Sequence, residues 1–382
     1  MGNPGESHPS LTRTNIEFKA YCGSLERARA ACAELGTTPA RTVMQRDVYF
    51  PVRSGRLKLR STDDSEHALI HYDRLDQPLP KPSDFEVLPL GHEGLAVVGL
   101  LRKALGSTVE IVKRREVHQW RGALVNLDTV EGLGTFVEVE VDVATASGPD
   151  KAHQLADVLA QKLGLTPADL VPWSYAELKV MHEASSRWRP TLPSGRHIFL
   201  LDGASCTGKT SLATRLADRK NLDLDLVPRY STRRPRGDRS AEPEYLFVSP
   251  HEFRRLAGEG AFIEYRDFQF GMSYGLPWEQ TFAPIKLGRR VIGIIDLGNV
   301  RHVKDVLPEA VTILITAPEH VLRQRLIARG YNRELEINER LENARRVAAY
   351  RPFYDHIVEN GERELEAAEN HLAEIIASYD ES

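Results

Sequence analysis

The chain has 382 residues, with 50 Lys+Arg against 54 Asp+Glu and a formal net charge of −4. At roughly 150 residues per domain there is room for two or three domains, each large enough to bury a core. Hydrophobic residues at 41% and charged residues at 27% exclude global disorder, and the acidic balance argues against a surface built mainly to grip a nucleic-acid backbone.

Short alternating strands dominate the first half. NIEFKAY (15–21) places Ile16, Phe18 and Ala20 on one face and Asn15, Glu17 and Lys19 on the other. RLKLR (56–60) gathers Arg56, Lys58 and Arg60, and residues 111–117 gather Lys113 and Arg115. ALVNLD (123–128) adds Asp128, and TFVEVEVD (135–142) adds Glu138, Glu140 and Asp142. Helical stretches are expected near 24–35, 91–105 and 151–164. Glu17, Lys19, Arg46, Lys58, Arg60, Lys113, Arg115, Asp128, Glu138 and Glu140 could line the inside of a barrel. The bases would hold a polyphosphate, and Glu17, Asp128, Glu138 and Glu140 would hold Mg²⁺ or Mn²⁺ through oxygen. From spacing alone, an antiparallel sheet with a solvated charged face reads the same way.

EASSRWRPTLPSGR (183–196) has no periodicity and carries two prolines and three serines, which reads as a linker. The expected division is a flexible start at 1–13, a first domain at 14–182, the linker at 183–196 and a second domain at 197–382. In the second half, HIFLLDG (197–203), VIGIID (291–296) and VTILIT (311–316) are apolar runs between helical segments. They predict a mostly parallel sheet with helices on both faces. The acidic tail 362–382 has helical spacing.

The sharpest motif is GASCTGKT, from Gly203 to Thr210, which follows a predicted strand and opens a predicted helix. Backbone and hydroxyl groups of Gly203, Ser205, Thr207, Gly208 and Ser211 would cradle the phosphates of ATP. Lys209 would bridge the β- and γ-phosphates, and Thr210 would hold Mg²⁺.

YSTRRPR (230–236), EYLFVS (244–249), FIEY (262–265) and SYGLP (273–277) follow it, and their order and spacing resemble guanylate kinase from about 197 to 378. The resemblance implies an α/β P-loop domain with a nucleotide-monophosphate-binding subdomain and a lid. It implies that Arg233, Arg236, Tyr245 and Tyr274 grip an acceptor phosphate, that Glu264 reads a base, and that Asp296 belongs to the site. Arg325, Arg329 and Arg340 resemble lid arginines that act with Lys209 on the transferring phosphoryl group. Arg345 and Arg346 read better as a solvated helix face. Three positions depart from the family. Arg229 stands at the base pocket where a small serine is usual, Leu276 replaces a serine or threonine, and Ile294 replaces an aspartate. Buried polar groups set base specificity, so the expected acceptor is phosphorylated and nucleotide-like but not GMP.

NIEFKAY, QRDVYF (45–50), GRLKLR (55–60), LIHYDR (69–74), VKRREVHQW (112–120), LDTVEGLGTFVEVEVD (127–142) and DLVPWSYAELK (169–179) resemble the CYTH superfamily over residues 14 to 180. The likeness is closest to its class IV adenylyl cyclase branch, and the superfamily also contains triphosphatases. The resemblance implies an α+β, eight-stranded triphosphate tunnel that takes a nucleoside or inorganic triphosphate with divalent metal. The family opening E-x-E-x-K is here Asn15-Ile16-Glu17-Phe18-Lys19, so an amide replaces the first carboxylate and divalent binding is weakened. Asp73 stands where a lysine is common.

The sequence therefore predicts a two-domain phosphotransferase that uses ATP and Mg²⁺ and acts on small phosphorylated molecules. No run of 18 apolar residues occurs, and Cys22, Cys32 and Cys206 are too far apart for a disulfide framework or zinc site. The expectation is a reducing cytoplasm without membrane attachment. Neither composition nor motif sets an oligomeric state. Two alternatives are an interaction scaffold that has lost catalysis and an RNA end-processing triphosphatase–kinase pair. The intact Lys209, Thr210 and lid arginines weigh against the first, and the small-acceptor motifs and acidic charge weigh against nucleic acid in the second.

Overall fold

The computed structural model describes residues 12–52, 54–107, 109–188, 198–235, 242–268, 271–331 and 333–379. It divides into two compact units, Met1–Lys179 and Val180–Ser382.

The first unit holds strands β1 (Arg13–Tyr21), β2 (Thr38–Phe50), β3 (Arg56–Thr62), β4 (Glu66–Asp73), β5 (Lys81–Pro89), β6 (Glu110–Trp120), β7 (Ala123–Val130), β8 (Gly134–Asp142) and β9 (Leu170–Val171). Helices α1 (Leu25–Glu34), α2 (Gly94–Leu105), α3 (Pro149–Lys162) and α4 (Tyr175–Trp188) accompany them. The sheet runs β5-β4-β3-β2-β6-β7-β8-β1-β9, and β1 also pairs with β5, which closes eight antiparallel strands into a barrel. Closure removes the sheet edges.

The apolar sides of β1, β2, β3, β7 and β8 face outward, against helices. Ile16, Phe18, Ala20, Val125, Leu127, Val137, Val139 and Val141 form one layer with Ala28 and Cys32 of α1 and Ala152, Ala156 and Leu159 of α3. Val48, Phe50 and Leu59 form another with Val97, Val98 and Leu101 of α2. Because side chains alternate with period two, the charged residues between these positions are driven into the barrel.

The second unit begins within α4. Residues 183–188, expected in a linker, are helical, and Ala184 and Ser185 are buried. The serines there do not break the helix: the Ser185 hydroxyl bonds back to the His182 carbonyl at 2.7 Å. Residues 189–196 of that stretch lie outside the described residues, as does 1–11 of the expected flexible start, while Arg13 already belongs to β1.

Strands β10 (Ile198–Asp202), β11 (Leu224–Leu226), β12 (Arg229–Ser231), β13 (Tyr245–Phe247), β14 (Phe262–Phe268), β15 (Met272–Pro277), β16 (Arg290–Ile294), β17 (Val311–Thr316) and β18 (His356–Glu359) follow. The helices are α5 (Lys209–Ala217), α6 (Pro250–Gly258), α7 (Trp278–Ile285), α8 (Val300–Val306), α9 (Glu319–Ala328), α10 (Glu334–Arg345), α11 (Val347–Tyr350) and α12 (Leu365–Ala377). A parallel five-stranded sheet, β11-β16-β10-β17-β18, carries a core of Phe199, Leu201, Ile292 and Ile313 against Leu212 and Leu216 of α5 and Leu372 and Ile376 of α12. A separate four-stranded sheet runs β13-β12-β15-β14. Helices α9 and α10 pack through Leu322, Leu326, Ile337 and Leu341. Among the described residues no helix is long and apolar enough to cross a membrane.

The outward-facing core gives a direct test. Leu59 is fully buried, so Leu59→Ala should destabilise the barrel by about 2–5 kcal/mol in urea unfolding. Leu95 on α2 is 67% exposed, and Leu95→Ala should change stability by less than about 0.5 kcal/mol.

Candidate active site

The barrel interior is a network of charges in contact. Lys19 on β1 lies opposite Glu138 on β8 and bonds it at 2.6 Å. Arg115 on β6 makes a bidentate contact with Asp128 on β7, at 2.8 and 2.6 Å, and also reaches Glu138 and Glu140. Lys58 and Arg60 on β3 both bond Asp47 on β2, at 3.0 and 2.7 Å. Glu17 pairs with Arg74 at 3.0 Å. Tyr175, at the start of α4, donates to Asp128 at 2.7 Å and lies under the Lys19 ammonium at 3.8 Å from its ring centre.

Nine of the ten expected lining residues face inward. Arg46 does not: it is exposed and pairs with Glu110, outside. It shares strand parity with Val48 and Phe50, which pack under α2, so the inward residue of that pair is Asp47. Asp73 is likewise exposed, and its neighbour Arg74 is the buried cation.

Burial and the neighbouring Arg115 push Lys113 down to about 7, and burial with Arg60 pushes Lys58 down to about 8. Burial works against charge on Asp47, yet Arg60 and Lys58 hold it well below the usual carboxylate range. Burial and the nearby Glu138 push Glu140 up.

The expected metal ligands do not gather as a metal site. Among the described residues no three metal-type side chains form a cluster. Arg115 stands among Asp128, Glu138 and Glu140, Glu17 is taken by Arg74, and Asn126 donates to Glu140 at 3.0 Å. A guanidinium occupies the carboxylate oxygens that a divalent cation would use, so an ion would enter only together with an anion that draws Arg115 away.

In the second unit, the buried strand β10 feeds the phosphate loop. Gly203 has φ +147° and Gly208 has φ +96°, and a Cβ would run into the Ile315 carbonyl at the first and the Asn360 amide at the second. Asn360 Nδ2 also donates to the Thr207 carbonyl at 2.8 Å, and Thr207 Oγ1 donates to the Ala204 carbonyl at 3.0 Å. Lys209 Nζ donates to the carbonyls of Gly203 and Ala204 at 2.5 and 2.9 Å, so it is folded over its own loop. Thr210 and Ser211 follow in the first turn of α5, with Thr210 half-buried and Ser211 exposed. A loop that requires glycine at 203 and 208, with a lysine at its mouth and a threonine hydroxyl at the helix start, fits Mg·ATP.

The expected lid arginines converge on this loop. Arg325 donates to the Gly361 carbonyl at 2.6 Å and the Cys206 carbonyl at 3.4 Å. Arg329 lies 3.9 Å from the Cys206 sulfur, and Arg340 donates to the Ser205 hydroxyl at 3.2 Å. Arg345 pairs with Glu319 on the exposed surface, as a solvated helix face would.

The four-stranded sheet assembles the remaining residues. Arg233 pairs with Glu242 and stacks over Tyr245 and Phe247 at 4.5 and 4.9 Å. Tyr245 and Tyr274 meet edge to face at 6.0 Å. Arg229 bonds Asp296 at 2.5 Å and Glu264 at 3.1 Å. Burial, with Asp296 and Asp202 nearby, pushes Glu264 up despite Arg229. Arg236 lies outside the described residues.

Several participants carry no motif. Asn299 donates to Glu264 at 2.5 Å. Asp202, fully buried at the end of β10, accepts from Tyr354 at 2.5 Å and from the Gly203 amide at 2.5 Å. Asn360 and Tyr354 come from the far end of the domain, so only their fold contacts identify them.

Arg115→Met should destabilise the barrel by about 3–5 kcal/mol, because it strands buried carboxylates. Arg46→Met should cost less than about 1 kcal/mol in the same urea titration. Burial raises Asp202 to about 6, so between about pH 4 and 6 the folded state keeps a proton that the unfolded chain has released. Its stabilising contribution is complete below that window and is lost as pH rises through it. Asp202→Asn should therefore remove about 3 kcal/mol of pH dependence across the window, read by denaturant unfolding at each pH.

A guanylate kinase family model matches residues 195–379, and a CYTH domain model matches residues 13–175. The guanylate kinase of Neisseria gonorrhoeae is 38% identical over 181 residues, covering 47% of this chain and 86% of that protein. The solved guanylate kinase of Anaplasma phagocytophilum is 22% identical, covering 49% of this chain and 88% of that one with a TM-score of 0.38. The PH1012 protein of Pyrococcus horikoshii is 23% identical, covering 42% of this chain and 96% of that one, also with a TM-score of 0.38. The chain belongs to the guanylate kinase family through residues 195–379, and it joins that domain to a CYTH domain at residues 13–175.

Proposed function

We propose that the guanylate kinase-family domain transfers the γ-phosphoryl group of ATP to a phosphorylated, nucleotide-like small molecule other than GMP. The observation that carries this reading is the convergence of Arg325, Arg329 and Arg340 on Ser205, Cys206 and Gly361, around the loop that holds Lys209. Phosphoryl transfer spreads negative charge over the equatorial oxygens, and prepositioned cations stabilise it. Lys209 would exchange its two loop carbonyls for β- and γ-phosphate oxygens. Arg233, Tyr245 and Tyr274 would orient the acceptor phosphate, whose oxygen attacks the γ-phosphorus as the bond to the bridging oxygen of ADP breaks. Thr210 would hold the Mg²⁺ that, when bound, neutralises phosphate charge.

The barrel is read as a polyanion site. Lys19, Lys58, Arg60, Lys113 and Arg115 would exchange carboxylate partners for a nucleoside or inorganic triphosphate, which the domain then cyclises, hydrolyses or senses. Their present pairing with Asp47, Asp128 and Glu138 supports exchange of one anion for another rather than burial of bare charge.

Lys209→Ala in folded full-length protein should lower ATP-dependent phosphotransfer by roughly 10³-fold or more. Unchanged turnover would remove the assignment. For the barrel, a bound polyanion favours protonated Lys113 and Lys58, which stand near 7 and 8 in the free protein. Calorimetric titration of the Lys209→Ala chain with tripolyphosphate should therefore show proton uptake near neutral pH, and that uptake should shrink when Lys113→Met is added. No heat of binding at any pH would leave the barrel without this role.

A further inference from the structure

We infer that Arg229 closes the floor of the acceptor cradle to a nucleobase, so that the acceptor is a base-free phosphorylated sugar or polyol. This rests on the phosphotransfer reading above and narrows it.

Arg229 is almost completely buried on β12. Its two terminal nitrogens reach Asp296 at 2.5 and 3.3 Å and Glu264 at 3.1 Å. Its guanidinium lies 5.5 Å from the Tyr274 ring, beside the aromatic pair that backs Arg233. Glu264 is fully buried, and its other oxygen accepts from Asn299. Both oxygens of the carboxylate that the sequence assigns to base reading are thus occupied from within the protein.

A purine would have to displace Arg229 from Glu264 to use that carboxylate. That would cost a buried charge-assisted hydrogen bond and leave Arg229 to Asp296 alone, a loss that one or two base hydrogen bonds made in exchange do not outweigh. The neighbouring positions offer no substitute. Leu276 is fully buried, close to where a side chain on Gly293 would stand, and Ile294 joins the main core. Neither can hydrogen-bond a base edge, and apolar pockets discriminate weakly.

The phosphate grip is separate from this closure: Tyr245 and Tyr274 are only partly buried, and Arg233 pairs with Glu242 rather than with Glu264 or Asp296. Among the described residues two buried polar atoms nearby have no partner: Arg229 Nε, a donor, and Asn299 Oδ1, an acceptor. A hydroxyl is both donor and acceptor, so a polyhydroxylated phosphate ester matches this remainder chemically.

The test compares GMP with its base-free fragment. Full-length protein, with a non-hydrolysable ATP analogue and Mg²⁺ present, is titrated with GMP and with ribose 5-phosphate. Binding is read without turnover, so this outcome is separate from that of the Lys209→Ala kinetics. The expected result is that the purine adds less than about 10-fold in affinity. GMP binding tighter than ribose 5-phosphate by more than about 10-fold in the wild type would overturn the inference. Arg229→Ser, by vacating the floor, should raise GMP affinity relative to ribose 5-phosphate by at least about 10-fold. A folded Arg229→Ser protein with no such gain for GMP would also overturn it. Should that variant fail to fold, the wild-type comparison still decides.

Discussion

A guanidinium buried against two or more carboxylates fixes the geometry of each unit. In the barrel it is Arg115, held among Asp128, Glu138 and Glu140. In the kinase-family domain it is Arg229, held between Asp296 and Glu264. Charges taken out of water are tolerated only when paired, and the planar fork of arginine pairs with more than one carboxylate at once. Each site is therefore a set of mutual constraints: the fold must bring opposite charges from different strands to one point.

The barrel reaches this by reversing the usual arrangement. Its apolar layers lie outside, beneath α1, α2 and α3, and its charges lie inside. Closure through β1 and β5 then brings together side chains far apart in sequence, such as Lys19 with Glu138. An interior of this kind is stable while cations and carboxylates balance, and it can admit an anion where a carboxylate gives way. At the phosphate loop of the second unit, Lys209 and Arg325 rest on weaker partners, backbone carbonyls, while Arg340 divides its guanidinium between the Ser205 hydroxyl and Glu336. Phosphate oxygens are stronger acceptors than backbone carbonyls, so nucleotide binding replaces weak contacts with charge-assisted ones.

Much of this was legible in the sequence because alternation and glycine spacing are local. The parity of NIEFKAY and RLKLR correctly separates the Ile16–Phe18 and Leu57–Leu59 faces from the charged faces of Glu17, Lys19, Lys58 and Arg60. The same rule, applied strictly to QRDVYF, would have excluded Arg46 and chosen Asp47, since Arg46 shares parity with Val48 and Phe50. The serine-rich start of the expected linker misled because composition describes exposed chain, whereas Ala184 and Ser185 are buried in a helix. Asp202, Tyr354, Asn299 and Asn360 were not legible: their roles arise only where β10, α8, β18 and the phosphate loop meet. The pairing of the barrel carboxylates was hidden for a related reason. Spacing places Glu138 and Glu140 on one face but does not reveal that Arg115 stands between them and Asp128.

The reading of the second unit stands or falls on phosphoryl transfer to a phosphorylated acceptor other than GMP. The most direct measurement is mass analysis of products formed when the full chain is given Mg·ATP with a panel of phosphate esters, with and without a base. ADP should appear together with an acceptor heavier by one phosphoryl group, formed fastest from a member that lacks a base. ADP without any phosphorylated acceptor product, or GDP as the dominant product, would contradict that reading.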